Sequence, residues 1–118
     1  MYRKILIARK GDTFLIPGGK IHDGEKTNEC ITREIKEELG VEVVSQRYFG
    51  EYEDEAALDP GKTVSMEIFV VTVEGTPKEC GEIEEIRCIN SKDICSLKLG
   101  SVLEKYVIPQ LKERNVID

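Results

Sequence analysis

The chain has 118 residues, 40% apolar and 34% charged, and its 23 acidic side chains against 17 basic ones leave a formal net charge of -6. That length suits one domain over residues 1–118, since a chain of this size buries roughly two-thirds of the surface its unfolded form exposes, enough for a single core. An acidic chain with no Lys/Arg cluster argues against a surface for nucleic-acid polymer, and apolar runs as short as Ile68–Val71 rule out a membrane-spanning helix, which needs roughly 20 apolar residues.

Tyr2–Arg9 is the first expected strand, rich in aliphatic residues, and Thr13–Ile16 is a short second one that ends at Pro17-Gly18-Gly19. Nothing ahead of Ile5 has the charged, apolar and small-residue sections of a secretory signal, so a cytoplasmic location is expected. A glycine-rich loop runs on to Glu25. Thr27 is placed to cap a helix that continues to Leu39 and stops at Gly40, where a left-handed glycine belongs. Val41–Val44, Tyr48–Tyr52, Thr63–Val73 and Ile86–Ile89 read as further strands, with Asp59-Pro60-Gly61 and Glu74-Gly75-Thr76-Pro77 as turns. Ser101-Val-Leu-Glu104 has the pattern of a capping box opening a last helix, which Pro109 would kink or restart. The expected fold is α/β, a mixed sheet covered by helices. The 4 cysteines form no Cys-x-x-Cys pair, and the 1 histidine, His22, lies far from all but Cys30, so reduced thiols packed as small hydrophobes are expected.

The most informative stretch is the helix. At about 100° per residue, Glu34, Glu37 and Glu38 project within about 100° of arc, and Ile31, Ile35 and Leu39 form an apolar stripe beside them. As plain helix surface the three carboxylates would be solvated, with Arg33 and Glu37 as an i, i+4 ion pair. Like charges at this spacing repel unless a cation neutralises them. Hard divalent ions such as Mg²⁺ or Mn²⁺ suit all-oxygen ligation shared with substrate phosphates. Glu25, eight residues before Arg33, can fold back and pair with it.

The pattern Gly-x5-Glu-x7-Arg-Glu-(aliphatic)-x-Glu-Glu-x-Gly-(aliphatic) resembles the Nudix box of MutT-like hydrolases. Gly19, Glu25, Arg33, Glu34, Ile35, Glu37, Glu38, Gly40 and Val41 fill its fixed positions. Leu6-Ile-Ala-Arg-Lys, Pro17-Gly18-Gly19, Glu82-Ile-Glu84-Glu85-Ile-Arg-Cys88 and Val107-Ile-Pro-Gln-Leu111 extend the resemblance over most of the chain, with Cys88 where many relatives carry tryptophan. The resemblance implies an α/β/α sandwich with a catalytic loop-helix-loop and a C-terminal helix. It implies a hydrolase that cuts a phosphoanhydride bond in a nucleoside diphosphate-linked small molecule, with an oxidised or non-standard triphosphate as the leading substrate. It further implies that Glu34, Glu37, Glu38 and the Gly18 carbonyl bind metal, that Glu82 or Glu85 adds a further carboxylate, and that Arg33 and Glu25 hold loop and helix in register. Relatives carry another strand ahead of Tyr2–Arg9. Either the sheet is one strand short, with an edge that a second subunit of a homodimer covers, or the start of the chain is incomplete.

Chemistry accounts for these residue types, because several fixed acidic ligands let an acidic protein bind an acidic diphosphate through metal. Two other readings compete. Gly19-x4-Gly24 followed by Glu25-Lys26-Thr27 is one inserted residue away from a Walker A loop, but the glutamate puts a negative charge in the phosphate cradle. A non-catalytic nucleotide-sensing module would show the loss of a helix carboxylate, and none is lost. Arg9 and Lys10 lead from the first strand toward the Pro17 turn, as phosphate contacts or as surface charges. Phe14, Phe49, Tyr48 and Tyr52 are candidates for stacking on a base, with core packing the cheaper account of at least two.

Overall fold

Alternation along one short strand sets the layers. In the computed structural model, which describes residues 4–55, 61–94, 96–114 and 117, β1 (Ile5–Lys10) lies between β2 (Thr13–Leu15) and β5 (Glu85–Ile89), antiparallel to both. The chain near Leu99 adds to the other edge of β2 as a parallel bridge to Phe14. Phe14 N–H donates to the Lys98 carbonyl at 2.8 Å, and Gly100 N–H donates to the Phe14 carbonyl at 2.9 Å. That bridge makes the sheet mixed, as expected. A second sheet is the antiparallel hairpin of β3 (Glu42–Glu55) and β4 (Thr63–Glu74).

Ile5 and Ile7 of β1 face one side of the first sheet, and Leu6 faces the other. On the first side Ile7, Phe14 and Ile89 meet Phe49 and Ile68 of the hairpin and Leu103, Val107, Ile108 and Leu111 near the carboxyl end. On the second side Leu6 and Ile86 receive Ile31, Ile35 and Leu39 of α1 (Thr27–Leu39), together with Val41 and Val43. The apolar stripe expected on this helix is therefore its docking face, and the fold is an α/β/α sandwich. Among the described residues no helix is long and apolar enough to cross a membrane, and Cys30, Cys80 and Cys88 are free thiols.

Three local expectations change, and the restart expected at Pro109 is found. The polar run Ser45-Gln46-Arg47, read as a break, lies inside β3, because Ser45 exchanges a hydroxyl hydrogen bond with Thr72 while Gln46 donates to the Asn28 carbonyl at 2.9 Å and to Thr32 Oγ1 at 3.2 Å. Register shifts near Val44 and Phe49 absorb the broken alternation and turn Phe49 inward. Thr27 is the first helical residue rather than the cap, and Glu29 Oε1 instead accepts the Lys26 N–H at 2.9 Å. The Ser101 hydroxyl does not cap its helix but donates to the Glu55 carbonyl at 2.8 Å, tying the helix start to the end of β3. Pro109 follows a π turn, Leu103–Val107, in which Ile108 N–H reaches back to the Leu103 carbonyl, and α2 (Ile108–Glu113) continues from it. Proline lacks the N–H and crowds the preceding turn, and the wider π turn just before it changes the local backbone pairing. Tyr2 and Arg3 of the first expected strand, Asp59 and Pro60 of the turn, and Cys95 lie outside the described residues.

The end of α1 is closed by a loop. Gly40 adopts φ 69° and donates its N–H to the Lys36 carbonyl at 3.0 Å, while Cys80 N–H takes the Glu38 carbonyl at 3.1 Å and Lys78 N–H takes that of Leu39 at 3.0 Å. Three of the last four carbonyls of the helix, those of Lys36, Glu38 and Leu39, are thus paired, and the loop bearing Glu82 is fixed beside the helix.

Leu103 is 1% exposed at the junction of both sheets and the C-terminal helix. Leu103→Ala is expected to destabilise the fold by about 2–5 kcal/mol in urea titration, whereas the exposed Val44→Ala should change it by less than about 0.5 kcal/mol.

Candidate active site

The site is built where β2 runs out. Pro17 ends the strand, and Gly18 takes φ 149°, a backbone region that side chains disfavour. Its N–H donates to Glu38 Oε1 at 2.7 Å. At Gly19 the close neighbour is Glu34, whose carboxyl atoms lie 2.6–2.7 Å from where a Cβ would stand. Only glycine lets Glu34 press so closely on the turn. Glu34 and Glu38, one helical turn apart, thus face the loop, while the side chain of Glu37 stays 57% exposed at the rim.

Arg33 joins loop and helix. Its Nε donates to Glu25 Oε2 at 2.7 Å and its Nη2 to Glu25 Oε1 at 3.0 Å, a two-pronged pair. Nη2 also reaches the Lys20 carbonyl at 3.1 Å, and Nη1 contacts Glu34 at 2.6 Å and Glu37 at 3.3 Å. Glu25 in turn accepts the His22 N–H at 2.9 Å. The guanidinium, followed by the His22 N–H, holds the Glu25 carboxyl down at about 2, and Glu25 then Glu34 push the Arg33 guanidinium above its usual value. Cys30 lies underneath with its Sγ 3.7 Å from the Gly19 carbonyl, and burial raises its thiol pKa, so it serves as packing rather than as a nucleophile.

The two basic residues leaving β1 are both engaged by carboxylates. Lys10 Nζ lies 2.7 Å from Glu38 Oε2. Arg9 contacts Glu84 at 2.8 Å, Glu85 at 3.2 Å and the Gly11 carbonyl at 2.6 Å. Glu85 gives its other oxygen to Arg87 at 2.7 Å, and Arg87, then Arg9, lower its pKa. Glu82 is exposed and has no polar partner among the described residues.

Glu25, Arg33, Glu34, Glu37, Glu38, Gly18 and Lys10 are therefore brought together, and Arg9 and Glu85 form a separate ion-pair network. Among the described residues the carboxylates do not close on a common point; Arg33 draws Glu34 and Glu37, and Lys10 and Gly18 divide Glu38. The hydrogen bond to Glu38 from the Gly18 amide and the pairing of Lys10 with Glu38 are not evident from sequence spacing. Of the candidate stacking residues, Phe14 and Phe49 are buried in the core with Arg87 and Arg114 over their rings. Tyr52 stacks on Tyr106, and the exposed Tyr48 meets Phe69 edge-on.

Comparison with known proteins bears on this arrangement. The NUDIX domain model matches residues 3–111. YtkD of Bacillus subtilis, provisionally described as an 8-oxo-dGTP diphosphatase, is 34% identical over 71 residues, covering 60% of this chain and 43% of that protein. The chain spans less than half the length of the curated relatives it matches. A MutT structure from a study of Aliivibrio salmonicida and Vibrio cholerae superimposes with a TM-score of 0.76 at 21% identity, over 95% of this chain and 87% of the other, a likeness of fold. The Bacillus subtilis pyrophosphohydrolase BsRppH gives a TM-score of 0.70 at 25% identity, over 98% of this chain and 77% of the other.

The Arg33 pairing makes stability depend on acid. Because the folded pKa of Glu25 lies below its ordinary 4.5, its contribution is present above that value and is lost as pH falls toward about 2. Thermal melts between pH 5.5 and 2.5 should show a steeper loss for the native protein than for Glu25→Gln. Parallel curves would contradict the role of the pair.

Proposed function

The chain belongs to the NUDIX family, and we propose that it is a divalent-metal-dependent pyrophosphohydrolase acting on a nucleoside diphosphate-linked small molecule. The observation that carries this reading is the helix face: Glu34 and Glu38 turned onto the Gly18–Gly19 backbone with Glu37 at their rim. Three acids so placed are costly without counter-charge, and their donor set is entirely oxygen, the chemistry that fits Mg²⁺ or Mn²⁺.

Glu34, Glu37, Glu38 and the Gly18 carbonyl would hold the cation. Of the two later carboxylates, Glu82 is the better further ligand, since both oxygens of Glu85 are committed to Arg9 and Arg87. The cation supplies charge neutralisation of the diphosphate and acidification of the attacking water. The protein supplies position. Arg33 and Glu25 keep the loop on the helix, one of the helix glutamates accepts a proton from water, and Lys10 stands at the end of β1 to meet phosphate. Rigid elements on both sides keep these groups in place, which matters because misplacement of a reacting group is costly in rate.

An oxidised or non-standard nucleoside triphosphate is the leading substrate, supported by the description of YtkD. A panel of such nucleotides, nucleotide sugars and dinucleotides with Mg²⁺, read by phosphate and pyrophosphate release, tests the class; binding without turnover across the panel would favour a sensing module. With the best substrate, Glu38→Gln should lower kcat by at least about a hundredfold while the melting transition stays cooperative. A near-normal rate would remove Glu38 from the chemistry.

A further inference from the structure

Both oxygens of Glu38 are in use. The side chain is 7% exposed, with Oε1 on the Gly18 N–H and Oε2 on the Lys10 ammonium, each at 2.7 Å. A divalent cation that takes Oε2 as a ligand would stand beside the Lys10 ammonium, and repulsion between the two positive charges favours release of the ammonium, whereas the neutral Gly18 amide can stay. The Gly18 amide is part of a constrained backbone turn. Lys10 is a point charge on a flexible stem, and it has no second polar partner among the described residues. Arg33 differs, being anchored by Glu25 and by the Lys20 carbonyl while it touches Glu34 and Glu37. Of the two cations on the acidic face, Arg33 is anchored outside it and Lys10 is held by Glu38 alone among the described residues.

We propose that Lys10 is an exchangeable counter-ion: its ammonium neutralises Glu38 in the metal-free protein and gives way when a divalent cation binds there. The inference rests on the proposed metal role of Glu38. Removing the cation from a buried ion pair is destabilising even where one hydrogen bond to the carboxylate remains, so Lys10 stabilises the metal-free protein. It does so at a cost to metal affinity, because the ion must compete with it. Lys10 is thus a positioning residue for the metal-free state, and its removal should have opposite effects on stability and on metal binding.

The test needs no substrate. Mn²⁺ is titrated into the native protein, Lys10→Met, Lys10→Gln and Lys10→Arg, with free Mn²⁺ followed by electron paramagnetic resonance. The two neutral variants should bind about tenfold more tightly than the native protein, and Lys10→Arg should bind like it. Without metal the neutral variants should melt at lower temperature, and saturating Mn²⁺ should close the gap. Lys10→Gln, which retains a hydrogen-bonding head, carries the comparison if Lys10→Met does not fold. Unchanged or weaker Mn²⁺ binding by the neutral variants, with binding intact in the native protein, would overturn the exchange alone. No Mn²⁺ binding by the native protein would overturn the metal reading of the site and the exchange with it.

Discussion

Five contacts to oxygen from one guanidinium hold the site together. Arg33 grips Glu25 with two nitrogens, takes the Lys20 carbonyl, and touches Glu34 and Glu37. Loop and helix are separate elements that share no strand pairing, so their alignment depends on this crosslink and on the Gly18 amide bound to Glu38. Arginine suits the task because its donors lie in a rigid fork that matches a carboxylate and cannot be deprotonated. A lysine could offer charge but not the simultaneous geometry.

Around that crosslink the rest of the fold acts as a mount. Ile31, Ile35 and Leu39 press α1 onto Leu6 and Ile86, so rotation of the helix would expose apolar surface as well as misdirect its glutamates. The 78–80 loop closes the helix end and brings Glu82 to the same end of the molecule as Lys10 and Glu38. The net charge of -6 acquires a local meaning here. Acids are concentrated on one helix face at an unfavourable spacing, and the protein offsets them with Arg33 and Lys10, cations of unequal mobility.

Much of this was legible in the residues. Periodicity and the glycine stop delimit α1 to within one residue at its start and at Leu39 at its end, and the match of Glu25 to Arg33 follows from charge and from the resemblance of the box. The alternation of Leu6 against Ile5 and Ile7 was readable as a strand, but not which helix would cover each face. What escaped were choices between equivalent partners. Lys10 can sit on phosphate or on a carboxylate, and only the folded chain puts Glu38 within its reach. Ser101 bonds to β3 instead of its own helix, and Gln46 makes a polar run compatible with a strand by reaching α1. In each case a tertiary neighbour outcompetes a local pattern of similar energy.

Arg33 holds the glycine turn on the carboxylate helix, and the amide of Gly18 reports on that hold. Hydrogen exchange at that amide, compared between the native protein and Arg33→Met, separates local release from general unfolding. Protection at Gly18 is expected to be lost in the variant while the amides of β1 and β5 remain protected. Native-like protection at Gly18 without the guanidinium would contradict it.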